Sequence, residues 1–128
     1  MDQPKNHFLH SSYSSPTLRS WHSSLALKDT NLIYPLFITN TPGEKTESTS
    51  RPGNFRYGYD RIAAELGNLV NRAGPSLKSV LLFGVIDDNM KDEKGVASVT
   101  NSPVPKALVA LREAFGDKLT LVVDICLC

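Results

Sequence analysis

The sequence predicts an α/β protein built on a parallel sheet. Short aliphatic runs at 32–39, 79–85 and 119–128 have the length and side-chain composition of strands. The segments between them, 59–73 and 103–115, repeat apolar residues at the spacing of an amphipathic helix. Strand and helix therefore alternate, and right-handed βαβ units are the usual way for such a chain to close a parallel sheet.

An amino-terminal arm, residues 1–31, precedes the first strand. Its hydrophobes (Phe8, Leu9, Tyr13, Leu18, Trp21, Leu25, Leu27) follow neither a period of two nor one of 3.6. The aromatics suggest a segment lying along another surface, such as a neighbouring subunit, with a disordered tail as the alternative. Tyr13 and Trp21 read as arm packing rather than as ligand-stacking groups.

The remaining residues, 32–128, form the sheet domain. LIYPLFIT (32–39) is rich in β-branched and aromatic side chains, against which Pro35 is a mild objection because it cannot donate to a ladder. The run NTPGEKTESTSRPGN after it reads as a breaker loop. In the 59–73 helix, Ile62, Ala63, Leu66, Leu69, Val70 and Ala73 share a stripe that Gly74-Pro75 ends. SVLLFGV (79–85) is continuously apolar, as a strand covered on both faces must be. A polar loop, IDDNMKDEKGVASVTN, leads to Ser102, an expected N-cap before Pro103. Val104, Leu108, Leu111 and Phe115 then keep helical spacing up to Gly116.

Composition narrows the function classes. In 128 residues, 14 basic and 13 acidic side chains leave a formal net charge of +1, too little for the field that nucleic acid or anionic lipid requires. Apolar runs fall far short of the roughly 20 residues of a membrane span. The first residues lack the apolar core of a secretory signal, and their serine content suggests an organellar transit peptide only weakly, so cytoplasm is the expected location.

The last strand, KLTLVVDICLC, carries the chemistry. Alternation puts Leu119, Leu121, Val123, Ile125 and Leu127 on one face, and Thr120, Val122, Asp124, Cys126 and Cys128 on the other. The second row turns polar at its carboxyl end, where ligands bind in parallel α/β folds. A buried Asp124 costs several kcal/mol unless a donor, a cation or an open cavity meets it. Alternate residues of an extended strand lie about 6.5–7 Å apart, at or beyond disulfide range, so the two cysteines are expected as free thiols or metal ligands. Both sulfurs can reach one zinc ion, but a catalytic zinc takes three protein ligands, and none of His7, His10 or His22 is obviously delivered to this strand end. Two buried structural thiols are the plain alternative.

Taken together, HSSYSSPTLRSWH, NLIYPLFIT, RPGNFRYG, SLKSVLLFGV, KDEKGVAS and VVDICLC occur in the order and spacing of the porphobilinogen synthase (5-aminolevulinate dehydratase) family. The resemblance runs from about residue 10 onward. It implies the amino-terminal part of a (β/α)8 TIM barrel behind an extended arm, with three strands and two helices present. It further implies an enzyme, a hydro-lyase that condenses two 5-aminolevulinate molecules to porphobilinogen for tetrapyrrole (haem) synthesis through two Schiff-base lysines. DICLC corresponds to the cysteine type, which holds zinc with three thiolates. Cys126 and Cys128 are then the first two zinc ligands, and Asp124 lines the active site. The third cysteine, both Schiff-base lysines and the substrate-gripping arginines belong to later segments of the family pattern. A homo-oligomer, an octamer for the full-length family, is implied as well.

The lysines present do not replace the missing pair. A Schiff-base lysine needs a lowered pKa at the barrel mouth. Lys78 precedes its strand and belongs at the opposite rim, while Lys91 and Lys94 sit among Asp87, Asp88, Asp92 and Glu93 in a solvated loop. The 128-residue chain alone is thus expected to be inactive and weakly stable, with an unpaired strand edge and an uncovered aliphatic row. A non-catalytic fragment that binds full-length subunits and alters their assembly is the alternative. An independent C-x-C metal or redox module is a third.

Overall fold

The computed structural model describes residues 15–23, 26–96 and 100–126. In chain order its elements are α1 (Pro16–His22), β1 (Tyr34–Thr39), β2 (Lys45–Glu47), β3 (Phe55–Gly58), α2 (Ile62–Val70), β4 (Ser79–Gly84), α3 (Val104–Phe115) and β5 (Thr120–Val123). The five strands form one sheet in the order β2-β3-β1-β4-β5. All neighbours are parallel except β2 and β3.

Alternation along the two central strands decides what is buried. Leu36 and Ile38 of β1 and Val80 and Leu82 of β4 share one face and are almost wholly excluded from water. Ile62, Leu66 and Val70 of α2 and Val104, Ala107, Leu111 and Phe115 of α3 close over them. Each large aliphatic side chain so buried contributes roughly 1.5–3 kcal/mol. The α/β architecture expected from alternation is therefore present, with both helices on one face.

Several boundaries differ from the sequence expectation, each for a local reason. The last strand stops at Val123, not at 128. Leu119 is buried, but Ile125 is 92% exposed, so the aliphatic row has nothing to pack on beyond its first residues. The 59–73 helix contracts to 62–70: Leu69 is 43% exposed, Ala73 is exposed, and Asn71 closes the last turn through its N–H to the Gly67 carbonyl. In α3 the N-cap is Pro103 rather than Ser102, whose Oγ accepts a long 3.4 Å bond from the Val104 N–H. The Ser-Pro signal is fulfilled elsewhere. Ser15 caps α1, accepting from the Leu18 N–H at 3.2 Å with Pro16 at the first position. This helix lies in the arm, which was expected to be extended; none of its residues is buried, so no apolar stripe announces it.

The supposed breaker run contains a hairpin. Lys45, Thr46 and Glu47 pair with Tyr57, Arg56 and Phe55. Arg51-Pro52-Gly53-Asn54 supplies its turn: Asn54 N–H donates to the Arg51 carbonyl at 3.1 Å, proline is second, and Gly53 takes φ 85° third. The short outer strand, exposed throughout and bearing Lys45 and Glu47, makes a poor template for further pairing. At the end of β3, a Cβ added to Gly58 would collide with the Thr41 carbonyl oxygen and stand 2.8 Å from Asp60 Oδ1. Gly58→Ala is accordingly expected to destabilise by about 1–3 kcal/mol, read from the urea midpoint. An unchanged midpoint would show that the Thr41 turn yields freely.

Glu65 ties the hairpin to α2, accepting from Lys45 Nζ at 2.7 Å and Arg61 Nε at 2.9 Å. Those two hydrogen bonds, Lys45 first, hold its carboxyl below the ordinary value of 4.5. A lowered folded pKa means stability present above the unfolded value and lost as pH falls through the folded one. Because both cations are well exposed, Glu65→Gln is expected to cost less than about 1 kcal/mol near neutrality. The cost should disappear in acid; denaturation curves at about pH 7 and about pH 2 test the sign.

Candidate active site

The carboxyl ends of β1, β4 and β5 lie side by side, and the face away from the helices carries its own row. Phe37 of β1 is paired with Phe83 of β4, and their rings stack at 5.4 Å and 22°. Leu81 pairs with Val122 in β5, and one step further the Asp124 N–H donates to the Leu82 carbonyl at 3.1 Å. The ladder thus continues one bond past β5. By alternation Asp124 belongs with Thr120 and Val122, on the side of the two phenylalanines.

Asp124 is exposed, so the desolvation cost expected for a buried carboxylate does not arise at this position. Cys126, also exposed, is disulfide-bonded. The expectation of a free thiol or ligand rested on extended-strand spacing, and residues 124–126 lie beyond the end of β5. Cys128, the second expected ligand, lies outside the described residues. His22 is exposed on α1; His7 and His10 also fall outside. No group of three His, Cys, Asp or Glu suited to a metal occurs among the described residues. Of the two expected zinc ligands, Cys126 is the one that lies among the described residues.

The lysines stand where their sequence context put them. Lys78 precedes β4, where its carbonyl accepts from the Thr120 N–H at 2.8 Å. Lys91 Nζ pairs with Asp88 at 2.7 Å, and that hydrogen bond is the main reason the Asp88 carboxyl lies below its ordinary range. Lys94 is exposed. None adjoins the Phe37–Phe83 row by pairing.

Sequence reading missed Arg56. Its register partner is Phe37, so it occupies the same row, next to the stacked rings. With Arg51, Ser48, Ser50 and Asn54 it lines a cavity of about 360 Å³ between Phe37 and the 48–54 turn that precedes β3. The signal was present: Phe55-Arg56-Tyr57 alternates aromatic and polar residues directly after a Pro-Gly turn.

A mostly parallel sheet with α2 and α3 packed on one face is the arrangement expected of part of a (β/α)8 barrel. The sequence profile of the delta-aminolevulinic acid dehydratase family matches residues 6–128, and the chain belongs to that family. The delta-aminolevulinic acid dehydratase of Dictyostelium discoideum is 37% identical over 125 residues, covering 96% of this chain and 36% of its own length. That of Bos taurus is 41% identical over 122 residues, covering 94% and 36%. The crystal structure of the Toxoplasma gondii ME49 enzyme, in complex with its reaction product porphobilinogen, superposes with a TM-score of 0.73 at 25% identity. The alignment covers 99% of this chain and 34% of that one. The chain therefore spans about a third of the length of the relatives it matches.

Proposed function

We propose that this chain supplies the amino-terminal third of a porphobilinogen synthase, a hydro-lyase that joins two 5-aminolevulinate molecules. The observation that carries the reading is a family match spanning residues 6–128. In this reading Asp124 lines the substrate site. Cys126 and Cys128, once reduced, are two of three thiolate ligands to zinc, the third coming from a segment outside this chain, as do the Schiff-base lysines. Zinc would supply Lewis acidity next to the substrate. The chain's own part is to set the first parallel strands in register, hold Asp124 at their carboxyl end and wall one side of the cavity with Phe37 and Phe83. The location proposed is the cytoplasm, and the assembly a homo-oligomer.

The test is turnover. A protein extended to the relatives' length with this segment in place should convert 5-aminolevulinate to porphobilinogen, and Asp124→Ala in it should lower kcat by about two orders of magnitude or more. The 128-residue chain should show none. Turnover by the short chain, or an Asp124→Ala variant with undiminished kcat, would refute the assignment of roles.

A second reading is favoured by the exposed apolar surface of the arm and its junction with the sheet. Trp21 and Leu27 are 75% and 85% exposed, and Leu32 and Ile33 are more than half exposed. Such a surface suits docking onto full-length subunits and a change in their assembly. Co-purification with an intact family member is the expected result; failure to associate at high concentration refutes it.

A further inference from the structure

The cavity beside Arg56 shares Phe37 with the proposed substrate wall, but neither of its arginines has a role in that proposal. It is built on three levels. Register sets Arg56 beside Phe37 on the face away from the helices, while Tyr57 packs against the core on the other. The loop carrying Arg51 is held at both ends: the Ser48 N–H donates to the Asn54 carbonyl at 2.8 Å, and the Arg51 N–H to the Ser48 carbonyl at 3.3 Å. A third tie runs from the Gly53 N–H to Glu47 Oε1 at 2.6 Å. The result is a cavity of about 360 Å³ lined by two arginines, two serines and two phenylalanines, with no acidic residue in its lining.

The neighbouring acids are engaged. Glu47 accepts from the Gly53 N–H, and Asp88, which feels Arg56 at longer range, is paired with Lys91 at 2.7 Å. None of the ion pairs among the described residues includes Arg51 or Arg56. Two arginines lining one small cavity bring like charges to it, and an anion held between them offsets their repulsion. The planar fork of arginine matches a carboxylate through paired hydrogen bonds. The apolar floor at Phe37 suits a short carbon chain rather than a fully hydrated inorganic ion.

We propose that this cavity is a carboxylate site for a small organic acid, with Arg51 and Arg56 holding the carboxylate and Phe37 supporting the carbon chain. The site is independent of the porphobilinogen synthase reading, which turnover tests separately. Amide chemical shifts of the 128-residue chain are followed by NMR during titration with pentanoate, with neutral pentanamide and with inorganic phosphate. Pentanoate is expected to move the amides of residues 48–56 saturably, pentanamide to leave them in place, and phosphate to bind more weakly. Arg51→Gln and Arg56→Gln should each weaken pentanoate by about tenfold, the effect of losing one charged hydrogen-bonding group, and Arg56→Lys should recover part of it. Both arginines are exposed, so the variants keep the core intact, which circular dichroism verifies. Absence of saturable shifts, equal shifts with pentanamide, tighter binding of phosphate, or full binding by both glutamine variants overturns the proposal.

Discussion

Leu82→Ala is expected to destabilise the chain by about 3–4 kcal/mol, because it opens a cavity where the sheet has least room to relax. Leu82 is completely buried in β4, which has parallel neighbours on both sides, with Leu36 on one side and Val123 on the other. The helices α2 and α3 close the same core, so neither strand nor helix can move in without disturbing the other. A domain of this size has roughly 5–15 kcal/mol in total, so the variant should lose a large part of its urea resistance. Leu82→Met, close in volume, should cost less than about 1.5 kcal/mol. Equal losses from both changes would mean that the site does not discriminate shape and that this core is not tightly packed.

Joint replacement of Cys126 and Cys128 by serine, in the protein extended to its relatives' length, is expected to remove bound zinc and lower turnover by at least about a hundredfold. Even outer-shell changes around a metal cost roughly 10- to 100-fold, and loss of two ligands should exceed that. Serine is a hard oxygen donor that stays protonated near neutrality and replaces a thiolate poorly at zinc. Metal content by elemental analysis under reducing conditions should fall in step with activity, while far-ultraviolet circular dichroism stays unchanged. Stoichiometric zinc and normal turnover in the double variant would refute the ligand assignment.

The boundary between legible and illegible parts of the fold follows the length over which a pattern repeats. Strands β1 and β4 and helices α2 and α3 each bury several side chains on one face, and that repetition is written in the order of residues. The three-residue β2 and the four-residue β3 are too short to show a period, so a run of polar residues and turn formers concealed them. The helix α1 buries none of its residues, and its visible signal is the Ser15 cap. At the site, alternation was enough to group Asp124 with Thr120 and Val122, but not to fix the end of the strand.

By itself the sequence determined the α/β class, the helix-facing aliphatic rows and, through six ordered motifs, the family. Only the tertiary structure decided that β3 inserts alongside β1, which brings Arg56 to Phe37 from nineteen positions away in register. It also decided that the extended conformation of β5 ends at Val123. The reason is the same in both cases: a side chain's face follows from its own neighbours in sequence, whereas which strand lies beside it, and how far the pairing runs, depends on hydrogen-bond partners distant along the chain.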